Sequence, residues 1–161
     1  MLIDIIRSSL TYLKRNKYLL YVIIPAFILY MGIIMPSGTD FCYHGTCGYQ
    51  FWGVHDHDGL WNLAIAQVSF LHFPPVVPTF TGATLRGYNF LLDLLIYIVK
   101  VTLHIHPFIT YFKLIPLLWY TVQVACLIAL SRVFKSDKSY VTLFLIIAFL
   151  ACPFSALLSI S

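Results

Sequence analysis

Residues 53–64 read GVHDHDGLWNLA and set His55, Asp56, His57 and Asp58 side by side, in a chain with only six acidic residues and six histidines. A carboxylate at the start of a helix can act as a general base toward a hydroxyl, or it can hold a divalent cation. The Asp56-x-Asp58 pair offers oxygen ligands at the close spacing that suits Mg²⁺, Mn²⁺ or Ca²⁺, with His57 between them as a further ligand. In an extended backbone the two acids would face one way and the two histidines the other. The plainer reading is a solvated loop in which Asp58 caps a helix by accepting backbone N–H bonds.

Other reactive side chains cluster nearby. Cys42, His44 and Cys47 form C-x-H-x-x-C. They read as a disulfide between Cys42 and Cys47, as a zinc site completed by His55, or as free thiols. Arg86, in TLRGYNF, is the only Lys or Arg between residues 36 and 88. A guanidinium there can grip a phosphate bidentately or snorkel toward a headgroup layer. Tyr88, Asn89 and Asp93 follow closely enough to line the same groove, and Asp93 could instead pair with Arg86 or Lys100. His104 and His106 form a second H-x-H that reads as polar anchoring at a helix end.

The elements that must position these groups are set by apolarity. Of the 161 residues 60% are hydrophobic and 10% charged, where soluble domains average about a quarter charged. The chain contains no Glu, and apolar runs of spanning length recur. These features indicate an all-α integral membrane protein, treated as a single unit over 1–161. The formal charge of +4 lies beside apolar runs, where it sets topology, and calls for no nucleic-acid partner. Residues 1–17 read as a short interfacial helix or a plain basic leader on the cytoplasmic side. Tyr18–Met35 is then a first spanning helix leading outward, with Pro25 inside it. Residues 36–88 form a long outer loop. An amphipathic helix is expected in it over Asp58–Leu71, burying Leu60, Trp61, Ala64, Ile65, Val68 and Leu71.

Asn89–Ile105 is apolar but carries Asp93 and Lys100. Charges at a bilayer centre cost roughly 2.5–3.5 kcal/mol each. Placing this segment half-buried at the outer surface also keeps the basic run Arg132, Lys135, Lys138 inside. Spanning helices are therefore expected at Pro107–Phe134, running inward, and at about 140–160, running outward, three in all. The last apolar run reaches ALLSIS without a closing basic loop, and the expectation is either a small three-span protein or, as favoured, the N-terminal part of a longer one.

This order of parts resembles the front of the GT-C fold membrane glycosyltransferases, in particular the protein O-mannosyltransferase and aminoarabinose-transferase group. The resemblance rests on the acid that opens the helix GLWNLAIAQVSF, the stretch LRGYNFLLDLL, and the basic turn SRVFKSDKSY. It implies transfer of a sugar from a polyprenyl-phosphate donor in the bilayer to an acceptor at the outer face of the cell membrane. Asp58 would be the active-site acid, with Asp56 its alternative or a metal-ligating neighbour, and Mg²⁺ or Mn²⁺ a candidate cofactor. Arg86, with Tyr88 and Asn89, would lie toward the lipid phosphate. The sequence departs from the family's pattern in lacking an Asp-Glu pair and the proline usual after the aromatic residue, where YNFLLD stands. Two other classes remain open. One is a metal-handling subunit using Cys42, His44, Cys47 and His55. The other is a structural subunit in which Asp93, Lys100 and Lys113 make contacts between helices.

Overall fold

The computed structural model describes residues 2–51, 55–80, 82–135 and 137–158, with the backbone alone at residues 2, 55–57 and 150–158. Six helices dominate it. Helix α1 (Leu2–Arg15) ends where Asn16 turns its side-chain amide back to donate to the Tyr12 carbonyl at 2.9 Å, occupying a group the next turn would use. A 3₁₀ turn over Lys17–Leu19 then leads into α2 (Leu20–Ile34), which carries Pro25. Strands β1 (Thr39–Tyr43) and β2 (Thr46–Gln50) precede α3 (His55–Val68). Helix α4 covers Leu91–Leu103, α5 covers Pro107–Phe134 with a π-helical stretch at Thr110–Leu114, and α6 covers Lys138–Leu158.

Among the described residues two helices are long and apolar enough to cross a membrane, Lys17–Ile34 and Pro107–Phe134. Only 17% and 33% of their apolar windows are buried inside the protein, which favours a lipid environment over a soluble core. The third expected span coincides with α6, where side chains are described only as far as Phe149; the apolar stretch Lys138–Phe149 is by itself shorter than a span. Helix α4 has 13 residues, about 20 Å at 1.5 Å per residue, and does not bridge a hydrocarbon core of about 30 Å. The chain is mostly helical, as expected, and one short strand pair is added to the helices.

The chain divides into two compact units. The first comprises residues 1–30 and 118–161. Its core includes Leu19, Ile23, Ile128, Val141 and Leu145. Tyr120 sits among Phe27, Tyr30 and Phe149 and donates its phenol to the Ile23 carbonyl at 2.7 Å, which satisfies a buried hydroxyl. Ser9 donates to the Ala125 carbonyl at 2.8 Å and ties α1 to α5.

The second unit comprises residues 31–117. In its hairpin the register places Cys42 opposite Cys47, and a disulfide joins them. The turn residues His44 and Gly45 both have positive φ, 47° and 81°, as a two-residue hairpin turn with the strands' own twist requires. Phe112, 1% exposed, is the hub of this unit. Its ring lies against Gly38 and Gly59 and among Phe51, Phe108 and Tyr111. The next residue, Lys113, donates to the carbonyls of Met35 and Ser37 and to the Thr39 hydroxyl, so one ammonium closes the C-terminal end of α2.

Helix α3 departs from expectation in two ways. It begins at His55, so Asp58 lies in its first turn and is not its N-cap. Its buried residues are Gly59, Leu63, Ile65 and Ala66, with Ser69 in the 3₁₀ turn that follows, whereas Leu60, Val68 and Leu71 of the expected face are exposed. The helix is apolar on most of its circumference, and the contact is made where small residues let neighbouring backbones approach.

Gly38 combines a φ of +70° with a Cβ direction that collides with the Phe112 ring, whereas Gly82, at +82°, faces open space. Gly38→Ala is expected to destabilise the protein by about 2–4 kcal/mol and Gly82→Ala by about 1 kcal/mol. Thermal unfolding of the two variants in detergent, read side by side, checks the order.

Candidate functional site

Helix α3 places Asp58 and Asn62 one turn apart, on one face. The Asp58 side chain is exposed. Asn62 is held on both sides of its amide. Its Oδ1 accepts the Tyr88 hydroxyl at 2.8 Å, and its Nδ2 donates to the Tyr111 hydroxyl at 3.1 Å. Tyr88 comes from the segment before α4, and Tyr111 from the π-helical stretch of α5. Such a stretch inserts an extra residue per turn and re-aims the side chains along it, a device frequent at functional sites.

Asp93 lies in the first turn of α4 and is 1% exposed, with neither carboxylate oxygen hydrogen-bonded. Burial pushes its carboxyl up to about 6, because an uncompensated charge is disfavoured away from water. The Tyr88 phenol is raised as well. Burial is the main cause and the negative charge of Asp93 the next, with smaller contributions from Tyr111 and Asp58, while a hydrogen bond with Trp61 opposes them. Asp58, Trp61, Asn62, Tyr88, Asp93 and Tyr111 thus form one electrostatic neighbourhood drawn from three helices and a loop.

Of the residues singled out in the sequence, Asp58 and Tyr88 belong to this group. Arg86 and Asn89 are exposed, and among the described residues Arg86 has no hydrogen-bond or ion-pair partner. Gly87, at φ +67°, turns the chain between Arg86 and Tyr88. Asp93 is paired with neither Arg86 nor Lys100. The backbone at 55–58 is helical, so the extended alternation of acids and histidines does not occur. The side chains of His55, Asp56 and His57, and with them the proposed ligands Asp56 and His57, lie outside the described residues.

Among the described residues no group of three or more His, Cys, Asp or Glu could hold a metal ion. Cys42 and Cys47 are bonded to each other, and a zinc site on them would need both as thiolates. His44 packs edge-on against Tyr43, with ring centroids 4.1 Å apart. Lys113 is engaged by backbone and hydroxyl oxygens of its own chain and offers no free contact to a partner helix.

Asn62 and Tyr111 were not signalled by motif. Asn62 is legible afterwards as the polar residue one turn beyond Asp58, within the apolar run Leu60–Ala66. Tyr111 lies 49 positions away, and only the fold brings it there. No known family model, curated protein or solved structure matches the chain.

The Asp93 shift fixes a pH dependence. Its folded-state pKa lies above the ordinary value of 3.8, so the buried group costs nothing while it is protonated in both states. Stability falls as pH rises from 3.8 toward 6, and the full penalty stands above that window. Asp93→Asn is expected to stabilise the protein at pH 7.5 by about 1–2 kcal/mol, after discount for solvent screening, and by close to nothing at acidic pH below the window. Thermal unfolding at the two pH values measures the difference.

Proposed function

We propose that the chain forms part of a membrane glycosyltransferase of the GT-C kind, which moves a sugar from a polyprenyl-phosphate donor to an acceptor hydroxyl at the outer face of the cell membrane. The observation that supports this reading is Asp58. It is an exposed carboxylate in the first turn of a helix whose next turn is fixed by two tyrosines, in the segment that follows a helix of spanning length. By the positive-inside rule α1 and the Lys135–Lys138 turn are cytoplasmic, and the loop 36–88 with α3 is outside. In this arrangement α4 lies along the outer surface of the bilayer, in keeping with its length.

In this mechanism Asp58 takes the proton from the acceptor hydroxyl as its oxygen attacks the anomeric carbon. The new bond forms on the face opposite the phosphate, so the anomeric configuration inverts. The bond from the anomeric carbon to the bridging phosphate oxygen breaks, and its electron pair leaves with the lipid phosphate. Arg86, exposed and unpartnered among the described residues, is suited to hold the charge that develops there. Tyr88 and Asn62 orient the α3 surface next to the base.

Membranes from a host lacking the gene, carrying either the wild-type protein or Asp58→Asn, are to be supplied with a panel of polyprenyl-phosphate-linked radiolabelled sugars. Transfer is expected to fall by about 10²–10⁴-fold in the variant while membrane insertion is unchanged. Undiminished transfer by Asp58→Asn would remove the assignment.

A further inference from the structure

In the first unit, Ile3, Arg7, Leu10 and Lys14 follow one another along α1 at three- and four-residue steps and make one stripe. A shallow groove runs along it, lined by Ile3, Ile6, Arg7, Leu10, Thr11 and Lys14. A second groove, of about 240 Å³, shares Ile6 and Leu10 with the first and continues between α1, α2 and α5. Its walls are almost wholly apolar and include Leu13, Ile24, Phe27, Val124 and Ile128. The two together form a basic rim that opens into a hydrocarbon slot.

The slot is pre-formed. Besides the buried Ser9 hydrogen bond, Arg132 donates to the Ser8 hydroxyl at 3.1 Å and stacks over the Tyr12 ring at 4.7 Å, so α1 is pinned to α5 at two successive positions and again a turn beyond. Arg7 and Lys14 are left exposed, and among the described residues neither ammonium nor guanidinium makes a hydrogen bond or ion pair. They lie seven residues apart, about 10 Å along the helix, within reach of one phosphate lying over Thr11. Asp4 is the only acid on α1.

We infer that this composite groove binds an anionic phospholipid, with its phosphate between Arg7 and Lys14 and an acyl chain in the apolar slot. The charge of the rim selects an anionic headgroup. The continuity of rim and slot through Ile6 and Leu10 selects a lipid over a free anion. The place of α1, immediately before a helix of spanning length, sets the rim at headgroup level. The inference requires α2 and α5 to span the membrane and is independent of the transferase chemistry.

The purified full chain in detergent is to be titrated with phosphatidylglycerol, phosphatidylcholine and glycerol phosphate, with binding read by native mass spectrometry. Phosphatidylglycerol is expected to bind at least about tenfold more tightly than phosphatidylcholine. The double variant Arg7→Gln/Lys14→Gln should lose roughly thirtyfold in phosphatidylglycerol affinity. Lys135→Gln/Lys138→Gln, which removes the same charge from two other exposed positions, should remain near wild type. Leu10→Gln, at a half-exposed position common to both grooves, should weaken the lipid and not glycerol phosphate. Equal losses in the two double variants would reduce the site to diffuse charge and overturn the inference. Competition by glycerol phosphate as effective as by the lipid, or no preference for phosphatidylglycerol, would overturn it equally.

Discussion

The second unit is organised around a single aromatic ring. Phe112 fills the space left by the missing side chains of Gly38 and Gly59, and so fixes the distance from the start of α5 to both the end of α2 and the first turn of α3. The π-helical stretch that carries Phe112 also presents Tyr111 to α3 and Lys113 to the carbonyls that close α2. Three consecutive side chains thereby serve three directions. An α-helix, which advances about 100° per residue, spreads consecutive residues around its axis, and the wider local turn adjusts each one to its partner. Close packing leaves little room for the ring to shift, because Phe51, Phe108 and Tyr111 hold its other faces.

Spanning lengths were the most legible part of the sequence. Apolar run length and flanking Lys and Arg placed the first span within a residue of Lys17–Ile34, and Pro at the first position fixed Pro107–Phe134. Asp93 and Lys100 led to the expectation that Asn89–Ile105 does not span, and the helix formed there, α4, has 13 residues. The hairpin was not legible, because Thr39–Gln50 is short, entirely exposed and rich in glycine, and its turn uses His-Gly in place of the commoner Asn-Gly or Asp-Gly. The face of α3 was misread for a different reason. In a lipid-facing protein apolar residues also cover the outside, so hydrophobic periodicity no longer marks the inside, and glycine, alanine and serine do.

The candidate site was half legible. Asp58 stands out by type in a chain poor in acids, and Tyr88 by its place beside Arg86, the lone Lys or Arg of residues 36–88. The burial of Asp93 was not legible, since an Asp in the first turn of a helix reads as a favourable dipole contact in water. Its cost appears only when α4 packs. The partnership of Asn62 with Tyr88 and Tyr111 joins residues 26 and 49 positions apart, beyond the reach of any local pattern.

That partnership has a direction. The Tyr88 proton is given to Asn62, and an Asn62 proton is given to Tyr111, so the hydroxyl of Tyr111 ends the chain as an acceptor with its own proton uncommitted to either neighbour. Polarisation accumulates along such a series, each link sharpening the next. The Tyr111 oxygen also keeps a lone pair beyond the one that Asn62 occupies, so this end of the series can both donate and accept. The orientation of one side-chain amide thus sets which of the two phenols keeps its proton to give.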